Sequence, residues 1–249
     1  MLTHTSLALV AIVIGVLVGA AGVGGFFMPP ALTLLMAMDI HQGMALSLFT
    51  FVFTGIVGTA YFHSKDSVDW TLVRPVCLGA APTGFAGAWI GHQLDTALLS
   101  SVLAVVILVV GIHTLSTNGR RATSAMPRGA RQRWLVLAAI GIVTGFVSGL
   151  TGIGGPVLSV PLMVLCGYSV LTAIGVGQVL QTVGALSGSL ANLHYVDIDY
   201  GLAAFIDVFE IVGVLGGAII IHRIDAAVVK RLVGGLCMVA GCGFILRNL

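Results

Sequence analysis

The chain has 249 residues, of which 58% are hydrophobic and only 8% charged, with a mean hydropathy of +1.11. A soluble domain carries roughly 25% charged residues, so this is a polytopic membrane protein with almost nothing left over for a soluble domain. The net charge of +2 offers no nucleic-acid-binding surface, because the basic residues concentrate in one loop.

In chain order the apolar segments fall into two sets of five. The first set comprises residues 7–21, 26–38, 43–62, 71–90 and 97–115; the second comprises 135–150, 156–166, 171–193, 201–221 and 226–246. Segment 7–21 is not a secretory signal, since no Lys or Arg precedes it and its counterpart lies in mid-chain. The last three segments of each set reach about 30 Å as helices, enough to span, whereas the first two reach only about 16–24 Å. Each short pair is joined at glycines and reads as a broken or re-entrant hairpin. Unwound backbone at membrane depth is tolerated only inside protein or beside water, so these hairpins face the interior.

The sets are copies. Gly15, Gly19, Gly22, Gly24 and Gly25 recur as Gly145, Gly149, Gly152, Gly154 and Gly155, an unbroken offset of 130 residues. His92 and Asp95 answer His222 and Asp225, and Val68-Asp69-Trp70 answers Ile198-Asp199-Tyr200. The chain therefore divides into a first transmembrane repeat (1–115), a basic linker (116–133) and a second transmembrane repeat (134–249). Asp69, Asp95, Asp199 and Asp225 each precede a long apolar run and fit helix caps better than ligands. The cysteines, Cys77, Cys166, Cys237 and Cys242, lack ligand-like spacing and read as small buried hydrophobes.

The linker holds Arg120, Arg121, Arg128, Arg131 and Arg133, which makes it cytoplasmic. If each copy crosses an odd number of times, Lys65, Arg74, Arg223, Lys230 and Arg231 join it inside. Only Arg247, of the 11 basic residues, is then outside. An even number leaves Arg223, Lys230 and Arg231 outside. Odd parity is favoured; it inverts the repeats and puts both termini on the outer side. The fold class is all-α, with two homologous repeats, each a short hairpin plus three long helices.

Repeated interruptions of apolar segments at matching places point to a transporter's binding site. The two hairpins read Gly22-Val23-Gly24-Gly25-Phe26-Phe27-Met28-Pro29-Pro30 and Gly152-Ile153-Gly154-Gly155-Pro156-Val157-Leu158-Ser159-Val160-Pro161. Their helices, expected to start at Phe26 and Pro156, would present free N–H groups and positive dipole ends to an anion. Candidate substrate residues there are Gly24, Gly25, Phe26, Gly154, Gly155 and Pro156. Gly15, Gly19, Gly145 and Gly149, four apart, fit helix packing better.

The third segments add a polar stripe. Ser47, Thr50, Thr54 and Tyr61 share a face in the first copy, and Gln178, Gln181, Thr182, Ser189 and Asn192 in the second. Gln178 and Gln181 either bind substrate or join helices. Asp207 and Glu210 lie on one face of the fourth segment of the second copy, where the first has Cys77 and Ala80. That asymmetry suits proton coupling, with a solvated vestibule as the alternative. His63, His113 and His194 sit at segment ends and suit interfacial packing.

Repeated Gly-x-Gly-Gly motifs in a duplicated apolar chain of this size resemble the TauE/SafE family of sulfite exporters, within the toluene-sulfonate uptake permease superfamily. The resemblance covers the whole chain, although Pro30 lies one residue closer to its glycines than Pro161. It implies a bacterial inner-membrane transporter of small, sulfur-containing anions such as sulfite, sulfonates or sulfoacetate. No nucleotide-binding loop is present, so an ion gradient, of protons or sodium, is the expected energy source. No cofactor or metal is expected, and a homodimer is compatible with the reading. A non-transporting assembly subunit and an intramembrane enzyme are the competing classes; no catalytic motif favours the latter.

Overall fold

A computed structural model describes residues 2–99, 101, 102, 105, 112 and 129–223. Its helices are α1 (Leu2–Ala21), α2 (Met28–Met36), α3 (Ile40–Ser64), α4 (Trp70–Gly91), α5 (Ala130–Thr151), α6 (Pro156–Leu165), α7 (Val170–Asn192) and α8 (Tyr200–Ile221), with a 3-10 turn at Gly25–Phe27 before α2. Most of segment 97–115, all of segment 226–246 and most of the linker lie outside the described residues, and with them His113, Asp225, Cys237 and Cys242.

Among the described residues, α1, α3, α5, α7 and α8 are long and apolar enough to cross a membrane. Helix α4 matches them in length at 22 residues but carries Arg74 and two internal prolines, Pro75 and Pro82. The long helices start where carboxylates and hydroxyls satisfy free N–H groups. Asp39 accepts from His41, Asp69 from Thr71, Asp199 from Gly201 and Leu202, and Ser169 from Thr172.

Two helix pairs pack backbone to backbone. Along α1 and α8, a Cβ added at Gly15, Gly19, Gly213 or Gly217 would overlap main-chain atoms of the partner. Along α4 and α5, the same holds at Gly79, Gly87, Gly141, Gly145 and Gly149. The contacts repeat with the 130-residue offset: Gly19 faces Val214 and Ala218, and Gly149 faces Gly84 and Ala88. Such close approach supplies the van der Waals contact that drives helix association where lipid removes the hydrophobic driving force.

These contacts also fix direction. Gly15 and Gly19 meet successively later residues of α8, and Gly79 and Gly87 successively later residues of α5, so both pairs are parallel. Helices α3 and α7 are antiparallel, since Gly58 abuts Gln178, Gly55 abuts Thr182 and Leu48 abuts Gly188. Helices α3 and α8 are parallel, with Phe49, in the first half of α3, on Tyr200 at the start of α8, and Ser67 on His222 just past their ends. Thus α1, α3 and α8 run one way while α4, α5 and α7 run the other. Helices 130 residues apart always oppose.

Because α1 and α3 share a direction, α2 must double back between them, and α6 does the same between α5 and α7. At 9 and 10 residues α2 and α6 cover about 15 Å, half a bilayer, whereas α1 and α5, expected from the sequence to be short, have 20 and 22 residues and are long enough to span. Helices α1 and α5 each begin five residues earlier than expected, at Leu2 and Ala130, and α2 departs in the other direction. Helix α2 begins at Met28 rather than Phe26, because Pro29 and Pro30 have no N–H and must occupy the first turn.

Every described Lys and Arg, namely Lys65, Arg74, Arg131, Arg133 and Arg223, falls at the end where α3 and α8 finish and α4 and α5 begin. Asp39, Asp95, Asp197 and Asp199 lie at the other end. By the positive-inside rule we propose that the basic end is cytoplasmic. In a cysteine-free background, a membrane-impermeant maleimide applied to intact cells should label Asp197→Cys and leave Lys65→Cys untouched. The reverse pattern would invert the assignment.

Candidate functional site

The two hairpins cross at the centre of the molecule. Helix α1 ends at Gly22, whose φ of 67° closes the last turn through an N–H bond to Val18 O at 2.8 Å. Helix α5 ends alike at Gly152, with φ of 68° and a bond to Ser148 O at 2.9 Å. Beyond these caps the halves diverge: Gly154 has φ of 86°, which favours glycine, whereas Gly24 is extended. A Cβ on Gly25 would overlap the Ile153 carbonyl, and one on Gly22 would lie 2.8 Å from Val160. Each tip therefore touches the other.

Phe51, in the middle of α3 and fully buried, closes this crossing. Its ring would meet a Cβ on Gly25 at 2.9 Å and one on Gly154 at 3.3 Å. Phe26 and Pro156 are also buried. Among the described residues, the N–H groups of Gly24, Gly25, Gly154 and Gly155 make no hydrogen bond within the protein. Unpaired buried donors of this kind await a partner. The dipole of α6 points at them with Pro156 removing one donor from its first turn, while Pro29 and Pro30 remove two from the first turn of α2. The second hairpin thus keeps more first-turn donors than the first.

The polar stripes of α3 and α7 face each other, as their spacing implies. Ser47, Thr50 and Thr54 are buried and donate to Gly43, Ser47 and Thr50 carbonyls at 2.6, 3.0 and 3.4 Å. Gln181 donates to Thr54 Oγ1 at 3.0 Å, tying α7 to α3, and Thr182 Oγ1 donates to Gln178 O at 3.2 Å. Gln178 donates to Val18 O of α1 at 3.2 Å, but its Oε1 is buried without a partner. Both amides thus join helices, and Gln178 keeps one acceptor free.

Asp207 and Glu210 are buried on α8, with Glu210 fully enclosed. Both Glu210 oxygens and Asp207 Oδ1 lack hydrogen-bond partners, and Glu210 lies beside Thr50 on the polar stripe. Among the described residues no cation neutralises them, since the basic side chains all sit at one end. Sequence spacing does not reveal a cluster at the acidic end, where His92 stacks on His41 and Tyr195 and its Nε2 bonds Asn192 Oδ1 at 2.9 Å. Burial holds the His92 pKa below the ordinary histidine value, the Asn192 bond opposing it and the neighbouring His41 adding to it. No group of three or more His, Cys, Asp or Glu residues placed to hold a metal occurs among the described residues.

Oppositely directed helix sets whose broken segments meet inside the bilayer are the build of a multi-pass membrane transporter. The family model for sulfite exporter TauE/SafE matches residues 7–244, and the chain belongs to that family. It is 22% identical to the probable membrane transporter protein YjnA of Bacillus subtilis over 96% of this chain and 99% of that one. It is 25% identical to a probable membrane transporter protein of Methanocaldococcus jannaschii over 79% of each. No solved structure matches. The chain is thus a multi-pass inner-membrane transporter, and the enzyme reading is set aside.

The glycines of the crossing differ in what they touch, which separates packing from binding. A Cβ on Gly155 would crowd the Leu180 side chain at 2.9 Å and reach its backbone only at 3.6 Å, whereas one on Gly25 would overlap a backbone carbonyl. Gly155→Ala should yield folded protein with transport reduced at least tenfold. Gly25→Ala should lower stability by about 1–3 kcal/mol through overpacking. Thermal melting and flux measured on both variants check the distinction; unimpaired flux in Gly155→Ala would return that glycine to packing.

Proposed function

We propose that the chain is a secondary transporter of small, sulfur-containing anions of the sulfite or sulfonate type, held where the hairpins cross and coupled to an ion gradient. The observation that carries this reading is the set of unpaired N–H groups at Gly24, Gly25, Gly154 and Gly155, enclosed where the hairpins cross, against Phe51 and Leu180. An oxyanion takes several donors at once, and a neutral cradle of amides and helix dipole binds one without the desolvation of a buried cation. Phe26 and Pro156 wall the site. Ser47, Thr50, Thr54, Gln178, Gln181 and Thr182 supply hydroxyl and amide donors once α3 and α7 part, since Gln181 and Thr54 now satisfy each other.

Asp207 and Glu210 carry the coupling proton in this reading. A carboxyl enclosed in a span without a cation is a place where a proton can ride, and Glu210 lies next to the α3 stripe that faces the substrate. Proton loading and substrate release then act on the same helix. Sodium is the alternative ion, with the same acids as its oxygen ligands.

Purified protein in liposomes should move sulfite or a sulfonate and accumulate it under an imposed pH gradient. Glu210→Gln and Asp207→Asn keep size and hydrogen bonding but cannot ionise. Each should still exchange substrate while losing pH-driven accumulation by at least tenfold. Accumulation equal to the parent in both variants and in their combination would remove these acids from the coupling role. Absence of flux for every sulfur oxyanion tested would overturn the substrate class.

A further inference from the structure

At the acidic end, a cavity of about 510 Å³ opens between the start of α3 and the ends of α4 and α7. Asp39, His41, Gln42, Tyr195 and Asp197 line it, and His92 forms its inner limit. Three rings close it: His41 and His92 lie 5.5 Å apart at 21°, and His92 and Tyr195 lie 4.6 Å apart at 26°. Behind the rings is a void of about 10 Å³, room for a single water, bounded by His41, Met44, Gly149, His92 and Asn192. Met44 also packs against Gly152 at the root of the second hairpin, where a Cβ would lie 2.7 Å from its Cα. His92 thus stands between the outer cavity and the hairpin.

The other end has its counterpart. His222, 130 residues on, follows α8 as His92 follows α4. Its Nδ1–H donates to Ala218 O at 2.6 Å, and its Nε2 meets Ser67 Oγ at 3.2 Å. Its ring packs on Phe62 at 5.1 Å, and Phe62 is the residue offset by 130 from Asn192, the partner of His92. Each histidine therefore ties a helix of a glycine-locked pair, α4–α5 or α8–α1, to the α3/α7 core at one end.

Resting on the transporter reading, we infer that His92 and His222 are the two gates of the route, one at each end. The glycine contacts make each outer pair move as one body, so a small tilt of α4–α5 against α7 breaks the His92–Asn192 bond and slides the ring stack apart. That motion opens the outer cavity onto Met44 and the hairpin while His222 stays shut. The reciprocal tilt of α8–α1 releases His222 from Ser67. In the present conformation both gates are closed.

The test uses Met44→Cys, behind the outer rings, in a cysteine-free background with impermeant maleimide on the outer side. Labelling should be slow with His92 intact and at least tenfold faster in His92→Ala and in Asn192→Leu. His92→Gln retains a donor to Asn192 and should remain slow, and His222→Ala should leave outer labelling unchanged. A second reporter, Ala173→Cys, buried near the opposite end, monitors the fold: it should stay unlabelled throughout. An unchanged rate in His92→Ala overturns the outer gate, as does faster labelling at both reporter positions. Acceleration by His222→Ala overturns the independence of the two. Labelling needs no substrate, so a gate that behaves as expected in protein that moves no anion would indict the transporter reading alone.

Discussion

The structure depends on two interfaces in which main chain touches main chain. Glycines of α1 against α8, and of α4 against α5, leave no room for a single methyl group on the facing backbone. Lipid is as apolar as any side chain, so such contact has to come from proximity rather than from exclusion of water. Everything else hangs from these two rails: they set the parallel pairing, the opposed directions of equivalent helices, and the gap in which α3 and α7 lie.

Within that gap the molecule tolerates what a soluble core would not. Backbone unwinds at two places, and three carboxyl oxygens and an amide oxygen are enclosed without partners. Each such group costs on the order of 1–3 kcal/mol when left unsatisfied. Rigid outer pairs can carry that burden, because the glycine seams and the cross-links through Gln178 and Gln181 hold the surroundings in place. Strain of this kind concentrates where a ligand or a proton completes the set.

Much of this architecture is legible in the sequence, since membrane helices announce themselves by length and duplication announces itself by offset. The four-residue spacing of Gly15, Gly19, Gly145 and Gly149 marks them for packing, and the contacts agree. The sequence shows the shortness of α2 and α6, because their apolar runs are too brief to cross a bilayer, but not the full length of α1 and α5, whose polar first turns hide it. The start of α2 is not: apolar patterning puts it at Phe26, whereas the Pro29-Pro30 pair sets the first turn two residues later. The histidine stack lies beyond sequence altogether, because His41, His92 and Tyr195 come from three elements and nothing local to any of them signals the meeting. The division of Gln178 between tether and free acceptor is equally hidden, because an amide's partners are decided by neighbouring helices.

Phe51 and Gln181 stand 130 residues apart and meet at the crossing, Gln181 within 3.4 Å of the Phe51 carbonyl. A chain with two identical inverted halves would possess two conformations, facing opposite sides of the membrane, of equal free energy, each being the other turned over. Here the turnover exchanges a benzyl ring for a carboxamide at the centre of the molecule. Together with Asp207 and Glu210 against Cys77 and Ala80, that exchange lifts the degeneracy, and with it goes any requirement that the empty carrier spend equal time open to each compartment.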